Sequence, residues 1–172
     1  MELTRKLAEI GQSLWYDNIQ RSILQDGSLA RMISEGKVKG VTSNPSIFQK
    51  AISTSKDYDI QLKPMAWSGM DAESIFWQLA IEDIRSAADL LLPVYKDTDH
   101  KDGYVSLEVN PLYAHDTRKT IDEARNLWAQ VDKPNLMIKI PATLEGLPAI
   151  TEVISHGINV NVTLIFSLER YA

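Results

Sequence analysis

Four residues suited to chemistry at carbon–oxygen bonds lie in short apolar runs: Asp17 in LWYDNI, Asn44 in KGVTSNPSIF, Glu108 in YVSLEVNP and Lys139 in LMIKIPAT. Lys139 stands between Ile138 and Ile140. As an inward-facing residue it loses hydration, which penalises the ammonium and favours the free amine, a nucleophile. Lysines of this kind add to carbonyls to form Schiff bases, and the iminium then serves as an electron sink that lets a neighbouring carbon–carbon bond break. Such chemistry also needs a group to deprotonate a hydroxyl and one to move protons as water leaves the carbinolamine. Asp17 and Glu108, on other runs, are available for it. Taken singly, most of these residues have plainer explanations. A lysine in an apolar run can snorkel at a strand end, Asp17 can cap or turn the chain, and Asn44 before Pro45 is a turn former. Ser106 and Thr163 suit a strand by propensity alone. Glu108 is harder to dismiss, because a mid-strand carboxylate is costly unless it is paired or lines a wet cavity.

The elements that must position these residues follow from periodicity. Short extended runs alternate with longer helical patterns, which predicts an α/β fold with a parallel sheet. An amphipathic helix opens the chain over about 4–13. LWYDNI is the first extended run, a helix follows with Ser28 as N-cap and Gly36 at its end, and KGVTSNPSIF is the second run. The stretch 49–69 reads as a short helix plus loop. Asp71 caps a long helix whose stripe runs from Ile75 to Leu91 and stops before Pro93. YVSLEVNP is the third run, and a helix from about Asp116 carries Ile121, Ala124, Leu127, Trp128 and Val131 on one face. LMIKIPAT is the fourth run. A helix over about 147–154 leads to INVNVTLIFS, the fifth, and SLERYA begins another helical turn.

Parity within the runs sorts the polar residues. Ser106, Glu108 and Asn110 oppose Val105, Leu107 and Val109; Lys139 opposes Ile138 and Ile140; Asn159, Asn161 and Thr163 oppose Val160, Val162 and Leu164; Thr42 and Asn44 share a parity. A sheet covered by helices on both faces gives strands that are apolar on both sides, so a polar face needs explaining. An exposed antiparallel sheet is one explanation, but the long helices between runs argue for parallel crossovers. The expectation is therefore a barrel with helices outside and polar residues lining a site near the strands' C-terminal ends.

Composition bounds the rest. The 172 residues fit one domain, and 44% apolar with 24% charged residues is globular composition. A net charge of −5 supplies no positive excess for nucleic acid or an anionic membrane surface. The sequence has no cysteine, which excludes disulfides, thiolate metal sites and thiol nucleophiles. With no signal peptide and no long apolar run, a cytoplasmic protein is expected.

GVTSNPSIF, VSLEVNP, LMIKIPAT and GINVNVTLIFS, in that order and spacing, resemble the transaldolases, class I aldolases of the pentose phosphate pathway, and in particular the longer bacterial form. The resemblance implies an (β/α)8 TIM barrel, here an incomplete one of about five β/α units with an extra N-terminal helix, as a single partial domain over residues 1–172. It implies transfer of a dihydroxyacetone unit from sedoheptulose 7-phosphate or fructose 6-phosphate to an aldose phosphate. By the same resemblance Lys139 matches the Schiff-base lysine and Asp17 the acid/base at the C4 hydroxyl. Glu108 and Thr163 match the pair that positions water. Asn44 and Asn161 match residues that bind the transferred unit's hydroxyls, and Thr42 supports that wall. No metal or organic cofactor is implied. The family's phosphate site, built around an arginine, and a serine lining the pocket fall on strands beyond the fifth; Arg170 does not match that arginine. Self-association, or a further C-terminal part, is expected to complete the barrel. Two alternatives stand beside this reading: an aldolase resembling the fructose-6-phosphate aldolases, which releases free dihydroxyacetone, and a non-catalytic or partner-dependent half-barrel.

Overall fold

The structure is a computed structural model and describes residues 2–172. Five parallel strands form one sheet in the order of the sequence: β1 (Trp15–Asp17), β2 (Gly40–Thr42), β3 (Val105–Glu108), β4 (Leu136–Pro141) and β5 (Val160–Thr163). The parallel pairing excludes an exposed antiparallel sheet. The sheet does not close, because β1 and β5 are both edges. The observed class is thus α/β with an open parallel sheet, and the closed barrel of the resemblance is not formed by these five strands.

Helix α1 (Glu2–Glu9) precedes β1; α2 (Arg21–Gln25), α3 (Ser28–Ser34), α4 (Pro45–Thr54), α5 (Asp59–Trp67), α6 (Ala72–Asp97), α7 (Thr117–Val131) and α8 (Gly146–Ser155) lie between the strands; and α9 (Leu168–Tyr171) follows β5. Val41, Val105, Leu107, Leu136, Ile138 and Ile140 bury their side chains against Ala80, Ile84, Ala88 and Leu91 of α6, Ala124 and Leu127 of α7, and Ala149 and Val153 of α8. The apolar parity of β2, β3 and β4 thus faces the helices, where its burial supplies the main favourable term of folding, whereas on β5 Val160 is half-buried and Val162 and Leu164 are exposed. Gly40 has to be glycine for a local reason: a Cβ there would lie 2.4 Å from the Trp15 ring on the adjacent strand.

Several element boundaries depart from the periodicity. The opening helix ends at Glu9 and the chain turns at Gly11, φ +83°. Five residues, Arg21–Gln25, form a helix too short to show a period. Ser28 is the first residue of α3 rather than its cap. Gly27, in the left-handed region, takes the cap position, and Asp26 accepts the Ser28 N–H at 2.7 Å. Within 49–69 there is far more helix than loop: α4, a 3-10 turn at Lys56–Tyr58, and α5. Helix α6 begins at the expected Asp71 cap, whose carboxylate accepts Ser74 N–H at 2.9 Å, but runs through Pro93 to Asp97. Pro93 is exposed, so the Asp89 carbonyl it leaves without a helical N–H lies on the solvent side.

A buried ionic network with no periodic signature joins the start of α2 to the helical layer. Arg21 Nε donates to Asp83 at 2.9 Å and Nη1 to Gln61 at 2.8 Å, with its guanidinium 4.6 Å from the Tyr58 ring centre. Tyr58 donates to the second Asp83 oxygen at 2.8 Å and accepts the Arg21 backbone N–H at 3.0 Å. Burial pushes the Asp83 carboxyl above its ordinary value, against the opposing pull of Arg21. The Tyr58 hydroxyl is raised, first by burial and then by the Asp83 charge. Removing one member strands a buried charge, so Asp83→Ala is expected to cost about 3–5 kcal/mol in urea unfolding. Tyr58→Phe keeps the ion pair and should cost only about 1–2 kcal/mol. Equal losses would mean that the ion pair is not the anchor.

Candidate active site

Register decides which polar residues become neighbours. Lys139 on β4 is paired with Glu108 on β3 and with Asn161 on β5, and Thr163 is paired with Pro141 one step further along the same face. Two residues nearer the strand starts, Asp17, Thr42 and Ser106 form a second row across β1, β2 and β3. Paired residues share a face and alternate residues return to it, so both rows lie on the side of the sheet opposite the helix-packed core.

Lys139 is largely withdrawn from water. Its side chain is 13% exposed and that of Glu108 20%, with 3.5 Å between Nζ and the Glu108 carboxylate. The Lys139 Nζ also donates to the Ser43 carbonyl at 2.9 Å. The nitrogen thus has two acceptors, a carboxylate and a backbone carbonyl, which apolar flanks alone do not reveal. Glu108 itself borders a small recess with Asn44, Phe48, Phe76 and Trp77. Just past β3, the half-buried Glu123 accepts the Asn110 backbone N–H at 2.5 Å and fixes the strand end; burial pushes its carboxyl above the usual range.

The other expected residues fall into distinct situations. Asn161 donates to the Ser106 hydroxyl at 3.3 Å. Asn44 is the N-cap of α4, its side-chain oxygen accepting Ile47 N–H at 2.9 Å, so its amide N–H donors remain for another partner. Thr42 is half-buried at the end of β2. The Thr163 hydroxyl is buried with no hydrogen-bond partner among the described residues. Asp17 stands apart: it is exposed at the end of the edge strand β1 and lines a cleft of about 310 Å³ with Gln20, Ile47, Lys50 and Thr54. Among the described residues no hydrogen bond or ion pair links Asp17 to Lys139. The structure thus brings Lys139, Glu108 and Asn161 into adjacent positions and leaves Asp17 on the flank. Ser43 escaped the sequence reading because its contribution to Lys139 is a backbone carbonyl, which no side-chain pattern signals.

The Thr163 hydroxyl yields a direct expectation. A buried, unpartnered hydroxyl costs folding free energy, so the nearly isosteric Thr163→Val should keep or raise stability, by up to about 1–3 kcal/mol in urea unfolding. A loss of comparable size would show that the hydroxyl is bonded in solution and serves the fold.

A family model described as transaldolase/fructose-6-phosphate aldolase matches residues 14–172. A transaldolase of Thermobifida fusca is 54% identical over 167 residues, covering 97% of this chain and 45% of the relative. A transaldolase of Thiobacillus denitrificans is 52% identical over 170 residues, covering 99% of this chain and 47% of the relative. The chain spans about half the length of the curated relatives it matches. With the family pattern running from just before β1 to Ala172, and half of all aligned positions identical in these relatives, the chain belongs to the transaldolase/fructose-6-phosphate aldolase family.

Proposed function

We propose that this chain carries the lysine-bearing part of a transaldolase active site, and that Lys139 is its Schiff-base nucleophile. The observation that carries the reading is the in-register neighbourhood of Lys139, Glu108 and Asn161, with the amine mostly withdrawn from water. Lys139 adds to the C2 ketone of sedoheptulose 7-phosphate or fructose 6-phosphate, and the carbinolamine loses water to give an iminium. Asp17 takes the proton of the C4 hydroxyl. The C3–C4 bond breaks, its electron pair moves into the iminium as an enamine, and an aldose phosphate leaves. The enamine then attacks the carbonyl of an acceptor aldose phosphate, Asp17 returns its proton to the oxygen that becomes the new C4 hydroxyl, and water hydrolyses the new iminium, releasing the product ketose phosphate and freeing Lys139. Glu108 and Thr163 hold the water for both dehydration and hydrolysis. Asn44, Asn161 and Thr42 bind the hydroxyls of the transferred unit. The lysine is itself the electron sink, so the sequence of steps closes without a cofactor.

Residues 1–172 act, in this reading, as one partial-barrel domain. Both sheet edges are unpaired, and Val162, Leu164 and Phe166 at the β5 edge are exposed, Phe166 at 88%. An unprotected strand edge with apolar surface favours association. Further β/α units joined to β5 would cover that surface, provide the second wall of the pocket and supply the phosphate anchor. Among the described residues no helix is long and apolar enough to cross a membrane, in keeping with a cytoplasmic enzyme acting on dissolved sugar phosphates.

Incubation with fructose 6-phosphate and borohydride should place a reduced ketose or dihydroxyacetone adduct on the peptide containing Lys139, and Lys139→Ala should abolish it. An adduct that survives Lys139→Ala would contradict the reading, and a folded chain that forms no adduct would count against a site assembled from residues 1–172 alone. The family description also includes fructose-6-phosphate aldolase. Release of free dihydroxyacetone without an acceptor would favour that chemistry, whereas donor consumption that depends on erythrose 4-phosphate favours transfer.

A further inference from the structure

Ser43 has no part in the chemistry just proposed, yet its surroundings are more constrained than those of most residues that do. It is fully buried, at 0% exposure, one position beyond the last β2–β3 pair, Thr42 with Ser106. Its hydroxyl donates to the Ser106 carbonyl at 2.8 Å, extending the β2–β3 contact by one side-chain bond. Its own carbonyl points elsewhere and accepts Lys139 Nζ at 2.9 Å. The next residue, Asn44, is extended at φ −147° and ψ 165°, with its side chain committed to the α4 cap. The peptide between Ser43 and Asn44 is thereby fastened on both sides, by a hydroxyl bond to β3 and by the cap of α4.

We propose that Ser43 is a positioning residue for Lys139. Its hydroxyl bond to β3 locks the peptide plane so that its carbonyl holds the lysine nitrogen beside Glu108. The proposal rests on the reading of Lys139 as nucleophile for its chemical meaning. In the resting state the carbonyl takes one of the three N–H bonds of the ammonium. Once the nitrogen is joined to C2, the single N–H of the iminium donates to the same oxygen, so the carbonyl faces the positive charge at both stages. Charge-assisted hydrogen bonds are stronger than neutral ones, and a fixed acceptor avoids reorganisation as charge develops. Ser106, which accepts the lock through its backbone, also receives Asn161 on its hydroxyl. The lock and the wall of the transferred unit thus meet on one residue.

The test reads the nitrogen directly and needs no substrate: hydrogen exchange at the Lys139 ammonium, followed by its side-chain proton–nitrogen correlation in cold, mildly acid buffer. The signal is assigned by its absence in Lys139→Met. The wild-type chain should give a distinct, slowly exchanging signal. Ser43→Ala should speed exchange by about tenfold, the effect expected for loss of one fixed hydrogen bond to a charged group. Ser43→Thr, which keeps the hydroxyl, should restore slow exchange. Ser43→Cys, close in size but a weak donor, serves as the second variant should alanine disturb folding, and should give intermediate exchange. Backbone amide signals away from the β2–α4 junction should not move, which separates positioning from general loosening. Absence of a slowly exchanging signal in the wild type, or unchanged exchange in a folded Ala or Cys variant, would overturn the proposal. The outcome is separable from that of borohydride trapping. No ketose adduct with the Ser43 effect present removes the transfer chemistry and leaves the hold on the amine; adduct formation without a Ser43 effect removes the hold alone.

Discussion

A lysine with 13% of its side chain in contact with water must find acceptors inside the protein, and the fold supplies two from different strands. Glu108 arrives by register on β3, and the Ser43 carbonyl arrives by the turn that ends β2. Both depend on strand alignment to the residue. A slip of one position on β4 would send Lys139 into the layer where Ile138 and Ile140 pack on helices, and would bring an isoleucine against Glu108. The apolar face of the sheet therefore does more than stabilise. By fixing the register through helix contacts, it also fixes which polar groups share a row on the opposite face.

The helical layer extends this control to the flank of the site. Arg21 lies four residues after Asp17 and is held by Asp83 of α6 and by Tyr58 before α5. The loop leaving β1 is thus tied to two distant segments through a buried charge, even though Asp17 itself is exposed. Asn44 couples the site to the layer in another way, since its side-chain oxygen caps α4 while its backbone follows the carbonyl that meets Lys139. Stability and positioning share the same groups at this junction, whereas the unpartnered Thr163 hydroxyl contributes nothing visible to the fold.

What was legible in the sequence follows from what side-chain patterns encode. Short extended runs between helical patterns located all five strands, and period two, directly visible in VSLEVN and INVNVT, marked the polar face of the last three. Asp71 and the stripe from Ile75 to Leu91 located the start of α6, and the Asn44-Pro45 pair marked the end of β2. Helix α2, with five residues, was too short to show periodicity, and an exposed proline did not stop α6. The Arg21–Asp83–Tyr58 network joins residues up to 62 positions apart and leaves no local trace. The lysine's second acceptor is a backbone carbonyl, common to every residue type, so only the path of the chain reveals it. The family resemblance named Lys139, Asp17, Glu108 and Thr163 together. Local pattern alone supports Glu108 and Lys139 better than Asp17, and the geometry has the same asymmetry.

The β3–β4 register makes Lys139 and Glu108 an interacting pair on the polar face. A double-mutant cycle with Lys139→Met and Glu108→Gln, followed by urea unfolding, measures that interaction without depending on substrate or on further strands. A favourable coupling of about 1–3 kcal/mol is expected, with the double variant less destabilised than the sum of the singles. Strict additivity of the two substitutions would contradict it.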